Sequence, residues 1–191
     1  MGKMVSFKRP DGKSVQGYLA EPAQGAAAPG MVVIQEWWGM NEQIKGVADR
    51  LAKAGYRALV PDLYRGKVGV TGFCMGGALT LLAAVNVPEA DAGVVWYGYP
   101  PLEYVDASKI KAPLLGHFAT EDQAFPIAKV DELEKKLRDA KVKFEFHRYK
   151  AKHAFANETA NEKKLAMLEY NPQAAELAWK RTLDFLAKQL K

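Results

Sequence analysis

Val68-Gly69-Val70-Thr71-Gly72-Phe73-Cys74-Met75-Gly76-Gly77-Ala78-Leu79-Thr80-Leu81-Leu82-Ala83-Ala84 decides how this chain is read. The stretch opens as a β-prone apolar run and closes as a buried helix. Between the two stands Gly-x-Cys-x-Gly, the spacing of a nucleophile elbow with Cys in place of the commoner Ser. Such a turn is so tight that the nucleophile sits at strained backbone angles. Small residues must flank it, and Gly72, Gly76 and Gly77 are expected to meet that need. The helix N-terminus then turns free N–H groups toward the sulfur, favouring thiolate and a developing oxyanion. Cys74 is the sole cysteine. The bland alternative is a buried apolar thiol beside a glycine-rich turn. The flanking pattern favours the nucleophile.

Working outward, 191 residues fit one domain with a sizeable core. The chain is 49% hydrophobic and 26% charged, as ordinary soluble proteins are. Its net charge of +5 is spread without a dense basic tract, which argues against a nucleic-acid partner. A single cysteine excludes an intramolecular disulfide framework and points to a reducing, cytoplasmic setting. No signal peptide and no membrane span is evident.

Strand and helix signals alternate along the chain. Residues 5–7 and 14–19, joined through Pro10-Asp11-Gly12, read as an antiparallel hairpin. An Ala/Pro/Gly linker leads to a strand over 31–35. Asn41 is placed to cap a helix over 42–54, closed by Gly55. Further strands are expected at 57–60, 93–97, 113–118 and 143–149, with an amphipathic helix over 127–140. A terminal helix begins at Pro172, with Leu177, Leu183, Leu186 and Leu190 as core candidates. This alternation predicts an α/β fold: a mainly parallel, twisted sheet with helices on both faces.

A polar turn, Thr120-Glu121-Asp122, follows the strand at 113–118. A carboxylate at the C-terminal end of such a strand lies on the functional edge. Asp122 is the candidate to orient a catalytic histidine, with Glu121 beside it left open as an alternative. Of the three histidines, His117 falls inside an apolar strand and reads as a core residue. His147 alternates with Phe144 and Phe146 and is expected to face the surface. His153 lies in a loop after the last strand, the place of the base in the order nucleophile, acid, histidine.

These motifs resemble the dienelactone hydrolase (carboxymethylenebutenolidase) family. The likeness runs through Gln35-Glu36-Trp37-Trp38-Gly39-Met40-Asn41, Pro61-Asp62-Leu63-Tyr64, the cysteine elbow, Thr120-Glu121-Asp122 and His153-Ala154-Phe155-Ala156. It spans nearly the whole chain. The resemblance implies an α/β-hydrolase fold and a Cys-His-Asp triad, which falls on Cys74, His153 and Asp122. It places on Glu36 a glutamate that pairs with the resting thiol. Oxyanion donors would be the backbone N–H groups of Trp37 and Met75. Trp38 and Phe155 are expected beside the substrate. The implied activity opens a small lactone or ester, of the dienelactone-to-maleylacetate type, through a thioester, with no metal or cofactor. A general carboxylesterase or thioesterase of the same fold is the alternative, and a truncated, non-catalytic remnant another. The expected state is a monomer or small homo-oligomer.

Two departures stand out. The strand ending near Tyr64 and the elbow strand are expected to be parallel neighbours, and a parallel crossover needs about a dozen residues or more. Only Arg65-Gly66-Lys67 separates Tyr64 from Val68. We therefore read residues 1–191 as a single domain whose crossover between Tyr64 and Val68 is missing. The resemblance also implies two substrate-binding arginines. One would lie in the missing segment, and Asn157 stands at the place of the other, so a small neutral ester fits better than an anionic dienelactone.

Overall fold

A computed structural model describes residues 2–8, 12–23, 25–36, 39–64 and 67–190. It divides into two compact units, Met1–Lys67 and Val68–Lys191. Trp37 and Trp38 lie outside the described residues.

In the first unit, β1 (Lys3–Lys8) and β2 (Ser14–Ala20) form the expected antiparallel hairpin, with Lys3 opposite Leu19. β3 (Gly30–Val32) is shorter than the apolar run suggested. Helix α1 (Glu42–Lys53) follows, and then β4 (Arg57–Pro61). Asn41 caps α1 as expected, its side-chain oxygen accepting the Ile44 N–H at 3.0 Å. The strand order is β1-β2-β4-β3. Alternation in β4 buries Ala58 and Val60, which pack with Tyr18, Val33, Ile44 and Ala48. The spacing of Ile44 and Ala48 puts both on one face of α1.

This order corrects one expectation. β4 pairs with β2 on one side and β3 on the other, so both its edges are occupied and it is not a neighbour of the elbow strand.

In the second unit, β5 (Gly69–Phe73), β6 (Ala92–Trp96), β7 (Leu114–Ala119) and β8 (Phe144–Tyr149) form a wholly parallel sheet in chain order. α2 (Met75–Asn86) and α3 (Ile127–Asp139) cover one face; α4 (Pro172–Leu190) covers the other. β6 and β7 are buried along their whole length, as strands covered on both faces must be. Val95, Leu114 and Phe118 face α2 and α3, where Leu81, Val130, Leu133 and Leu137 meet them. Val94, Trp96 and Leu115 face the opposite way.

The inner stripe of α4 is only in part the leucine set. Leu177 and Leu183 are exposed, while Ala174, Ala178 and Thr182 are buried, with Phe185 and Leu186 packing beside them. Small side chains four residues apart let the helix approach the sheet, and Thr182 carries a hydroxyl that the core needs.

That need is His117, which is fully buried. Its Nδ1 lies 2.9 Å from the Tyr149 hydroxyl and its Nε2 2.8 Å from Thr182 Oγ1. Arg181 donates to the Tyr149 oxygen at 3.1 Å, so the Tyr149 proton is free to go to Nδ1. Nε2–H then donates to Thr182. His147 departs from expectation: it is half-buried and stacks on His117 at 5.9 Å, with Nε2 2.7 Å from a Glu145 carboxylate oxygen. Its registered position opposite His117 explains the stacking.

Burial, with positive charge from His147 and Arg181, pushes the His117 pKa down from 6.5 to about 3. Below 6.5 the unfolded chain takes up a proton that the folded chain refuses, so stability falls as pH drops from about 6.5 toward 3. His147 is also pushed down, by burial first, and acts with the same sign. Urea midpoints are expected to fall from pH 7.5 to 4.5, and His117→Gln to flatten that decline. An unchanged pH slope in the variant would rule out His117 as a cause.

Candidate active site

β5 ends at Phe73 and α2 begins at Met75, leaving Cys74 alone in the turn. Cys74 sits at φ 55°, ψ −117°, a conformation that costs a non-glycine residue about 1–3 kcal/mol. Its N–H donates to the Trp96 carbonyl at 2.9 Å, tying the elbow to the end of β6. Its carbonyl accepts the Gly77 and Ala78 N–H groups. These bonds leave the Met75 N–H without a backbone acceptor among the described residues, at the positive end of α2.

Two of the three glycines around the elbow do the work expected of them. A Cβ on Gly72 would strike the Gly76 backbone, and one on Gly77 would lie 2.7 Å from the Trp96 carbonyl oxygen. Gly76 itself faces open space, so no steric contact demands glycine there. Gly98, unremarkable in the sequence, is required instead: a Cβ there would fall on the Cys74 carbonyl.

Asp122 and His153 are 31 residues apart yet meet, because β7 and β8 are parallel neighbours whose ends leave the sheet at the same edge. Ala119 is registered with Tyr149, and the pairing continues as Thr120 N–H donates to the Tyr149 carbonyl and Glu121 N–H to that of Ala151. His153 Nδ1 then lies 2.7 Å from Asp122 Oδ2, with both side chains almost fully buried. The Ala124 and Phe125 N–H groups donate to Asp122 Oδ1 at 2.8 and 2.9 Å, fixing the carboxylate. Glu121 is exposed, and Asp122 is the carboxylate that meets His153.

Two rings hold the imidazole. Phe125, which the sequence reading did not single out, stacks on it at 5.4 Å. Tyr97 meets it edge-on at 5.2 Å from a buried position with φ 35°. Burial, and then the nearby Cys74 charge, raise the Tyr97 hydroxyl far above its usual range. Phe155 departs from its expected role beside the substrate: it is fully buried and packs beneath Tyr97 at 5.2 Å, supporting the site from below. A cavity of about 380 Å³ opens here, lined by Phe73, Tyr97, Ala156, Asn157, Glu158 and Thr159. The Asn157 side chain is engaged locally, accepting from the Thr159 N–H and hydroxyl at 3.0 Å.

Met75 stands where it was expected, with an exposed side chain and its N–H at the helix start. Glu36 belongs to the first unit and is exposed there. The residues expected to supply the other oxyanion donor and part of the pocket, Trp37 and Trp38, are outside the described set. No group of three or more metal-ligating side chains occurs among the described residues, and none of their helices is long and apolar enough to cross a membrane.

The sequence profile of the dienelactone hydrolase family matches residues 15–68 and 65–190, two pieces that meet at the short connection after β4. Protein usf of Aquifex pyrophilus is 31% identical over 239 aligned residues, covering all of both chains. That alignment is longer than the 191 residues of this chain. A Methylorubrum extorquens protein provisionally named carboxymethylenebutenolidase is 31% identical over 227 residues, covering 90% of this chain and 76% of its own. Among solved structures, a provisionally assigned dienelactone hydrolase from Klebsiella pneumoniae aligns with a TM-score of 0.54 at 25% identity, over 98% of this chain and 99% of its own. A dienelactone hydrolase-like promiscuous phosphotriesterase from metagenomic libraries shares the fold with a TM-score of 0.62 at 21% identity, over 100% and 99% of the two chains.

Proposed function

The chain belongs to the dienelactone hydrolase family, whose members are hydrolases acting on esters, and from that premise we propose a cysteine-dependent hydrolase of small neutral esters or lactones. The observation that carries this reading is the buried 2.7 Å contact between His153 and Asp122, in the same sheet edge as the strained Cys74 elbow. In this reading His153 takes the thiol proton and Cys74 sulfur attacks the ester carbonyl carbon. The carbon–sulfur bond forms as the carbonyl becomes an oxyanion, received by the Met75 N–H. The alkoxide leaves with the proton held on His153. Water, deprotonated by His153, then attacks the thioester, releasing the acid and returning the proton to sulfur. Asp122 keeps the Nδ1–H tautomer and stabilises the imidazolium. These steps use only the chain's own groups.

Glu36 and the Trp37 N–H are carried by the family motif alone, as a resting partner of the thiol and a second oxyanion donor. Asn157 in place of an arginine supports a neutral substrate. The single-domain reading of residues 1–191 rests on a family match that spans both units; the cytoplasmic setting and the monomer or small homo-oligomer are carried by composition and the family resemblance alone. The two-piece match and the longer alignments support a shortened connection between Tyr64 and Val68.

Intact mass spectrometry after acid quench of a reaction with an aryl acetate tests the mechanism. The expected product is a single acetyl adduct on Cys74, removed by hydroxylamine as thioesters are. Turnover without any Cys74 adduct, even at saturating ester and short times, would overturn the thioester route. The same spectrum reads the connection: a chain as short as written here gives 21.1 kDa.

A further inference from the structure

Beside the elbow lies a second, larger cavity of about 460 Å³, within the range of small-molecule sites. Phe73, Trp96, Tyr170 and Trp179 line it together with Glu158 and Glu176. Phe73 stacks on Trp96 at 4.9 Å, and Trp179 meets Trp96 at 5.4 Å with the planes 67° apart; Trp96 itself is buried, so Phe73 and Trp179 supply the accessible ring surface. Half of Trp179 is exposed, as is much of Phe73. Neither glutamate forms an ion pair with a described residue, and no Lys or Arg is among the described residues lining the cavity. The charged side chains among the described lining residues are thus both acidic.

Aromatic faces carry negative quadrupole density and attract cations, most strongly where water is partly excluded. Carboxylates add long-range attraction of the same sign. An anion is repelled by both, and a neutral alkyl group gains only buried area. We propose that this cavity binds an alkylammonium group, and that the preferred esters are those whose alcohol part ends in such a cation. The substrate half of this statement rests on the hydrolase reading above. Phe73, Ala156 and Glu158 also line the smaller cavity at Tyr97, so the two spaces adjoin. Phe73 directly precedes Cys74, and Tyr97 touches the His153 ring. An ester reaching across them would present its carbonyl at the elbow and its cation to the aromatic box.

Saturation-transfer NMR with choline and its neutral isostere 3,3-dimethylbutan-1-ol tests binding without any chemistry. Choline is expected to bind on the order of tenfold more tightly. Trp179→Ala and Glu176→Gln are each expected to reduce that ratio severalfold. Both residues are exposed, so the variants should fold, and their ratios rather than their activities are read. Equal affinity for the two alcohols, or a ratio untouched in both variants, overturns the proposal. Turnover of acetylcholine against 3,3-dimethylbutyl acetate gives the second readout, with a lower KM expected for the cation. If both esters are hydrolysed without preference, the substrate half of the proposal fails and the hydrolase reading stands. If choline is preferred in binding while no ester is cleaved, the cation site stands and the hydrolase reading fails.

Discussion

Cys74→Ala is expected to lower ester turnover by roughly 10⁴- to 10⁶-fold, the loss seen when the nucleophile of such a unit is removed. The thiol is the single group for which the chain offers no substitute, since Cys74 is the sole cysteine. The elbow itself should survive the change. Ala fits the space that Cys occupies, and the turn is held by backbone bonds that Ala retains: Cys74 N–H to the Trp96 carbonyl, and Gly77 and Ala78 N–H to the Cys74 carbonyl. The strain at φ 55° is the same for either residue. Unfolding midpoints should therefore move little while kcat collapses. A variant retaining more than about a hundredth of the activity would show that water attacks the ester directly or that another nucleophile serves.

Asp122→Asn is expected to cost about 10⁴-fold in kcat, through the proton rather than the fold. Oδ1 of Asp122 accepts two backbone N–H groups, from Ala124 and Phe125. An asparagine keeps those bonds only by pointing its oxygen at them, which turns its NH₂ toward His153 Nδ1. Two donors cannot face each other, so the imidazole must place its proton on Nε2 and offer a lone pair to the amide. The nitrogen that should take the thiol proton is then already protonated. A purely structural Asp122 would instead lower stability and leave the per-molecule rate of the folded fraction intact. A loss of less than tenfold in kcat at constant unfolding midpoint would remove Asp122 from the proton path.

The local features of this chain were open to reading because each is written in a few adjacent residues. Asn41 before an amphipathic run makes a helix start, and it caps α1. Val130, Leu133 and Leu137, spaced for one helix face, are all fully buried in α3. The strand, Gly-x-Cys-x-Gly and helix of the elbow stand where their pattern put them. Local pattern is silent wherever packing depends on what approaches from far along the chain. Leucines 177 and 183 have the periodicity of a core stripe, but α4 turns Ala174, Ala178 and Thr182 inward against a cluster that already holds Trp96, Tyr149 and Phe155. Phe155 beside a candidate base looked like a pocket residue, yet its neighbours Tyr97 and Tyr149 enclose it.

From sequence alone the chain determines its alternation of strand and helix, its elbow with Cys74 at the turn, and the chain order of Cys74, Asp122 and His153. Such features depend on periodicity, turn chemistry and residue type, which act over a few positions. Tertiary structure alone decided that Asp122 rather than Glu121 meets His153, because parallel pairing of β7 and β8 turns one side chain inward and the other to solvent. It also decided that Gly98 and not Gly76 must lack a side chain, since the constraint is the close approach of the loop after β6 to the Cys74 carbonyl, and no neighbour in sequence announces that contact.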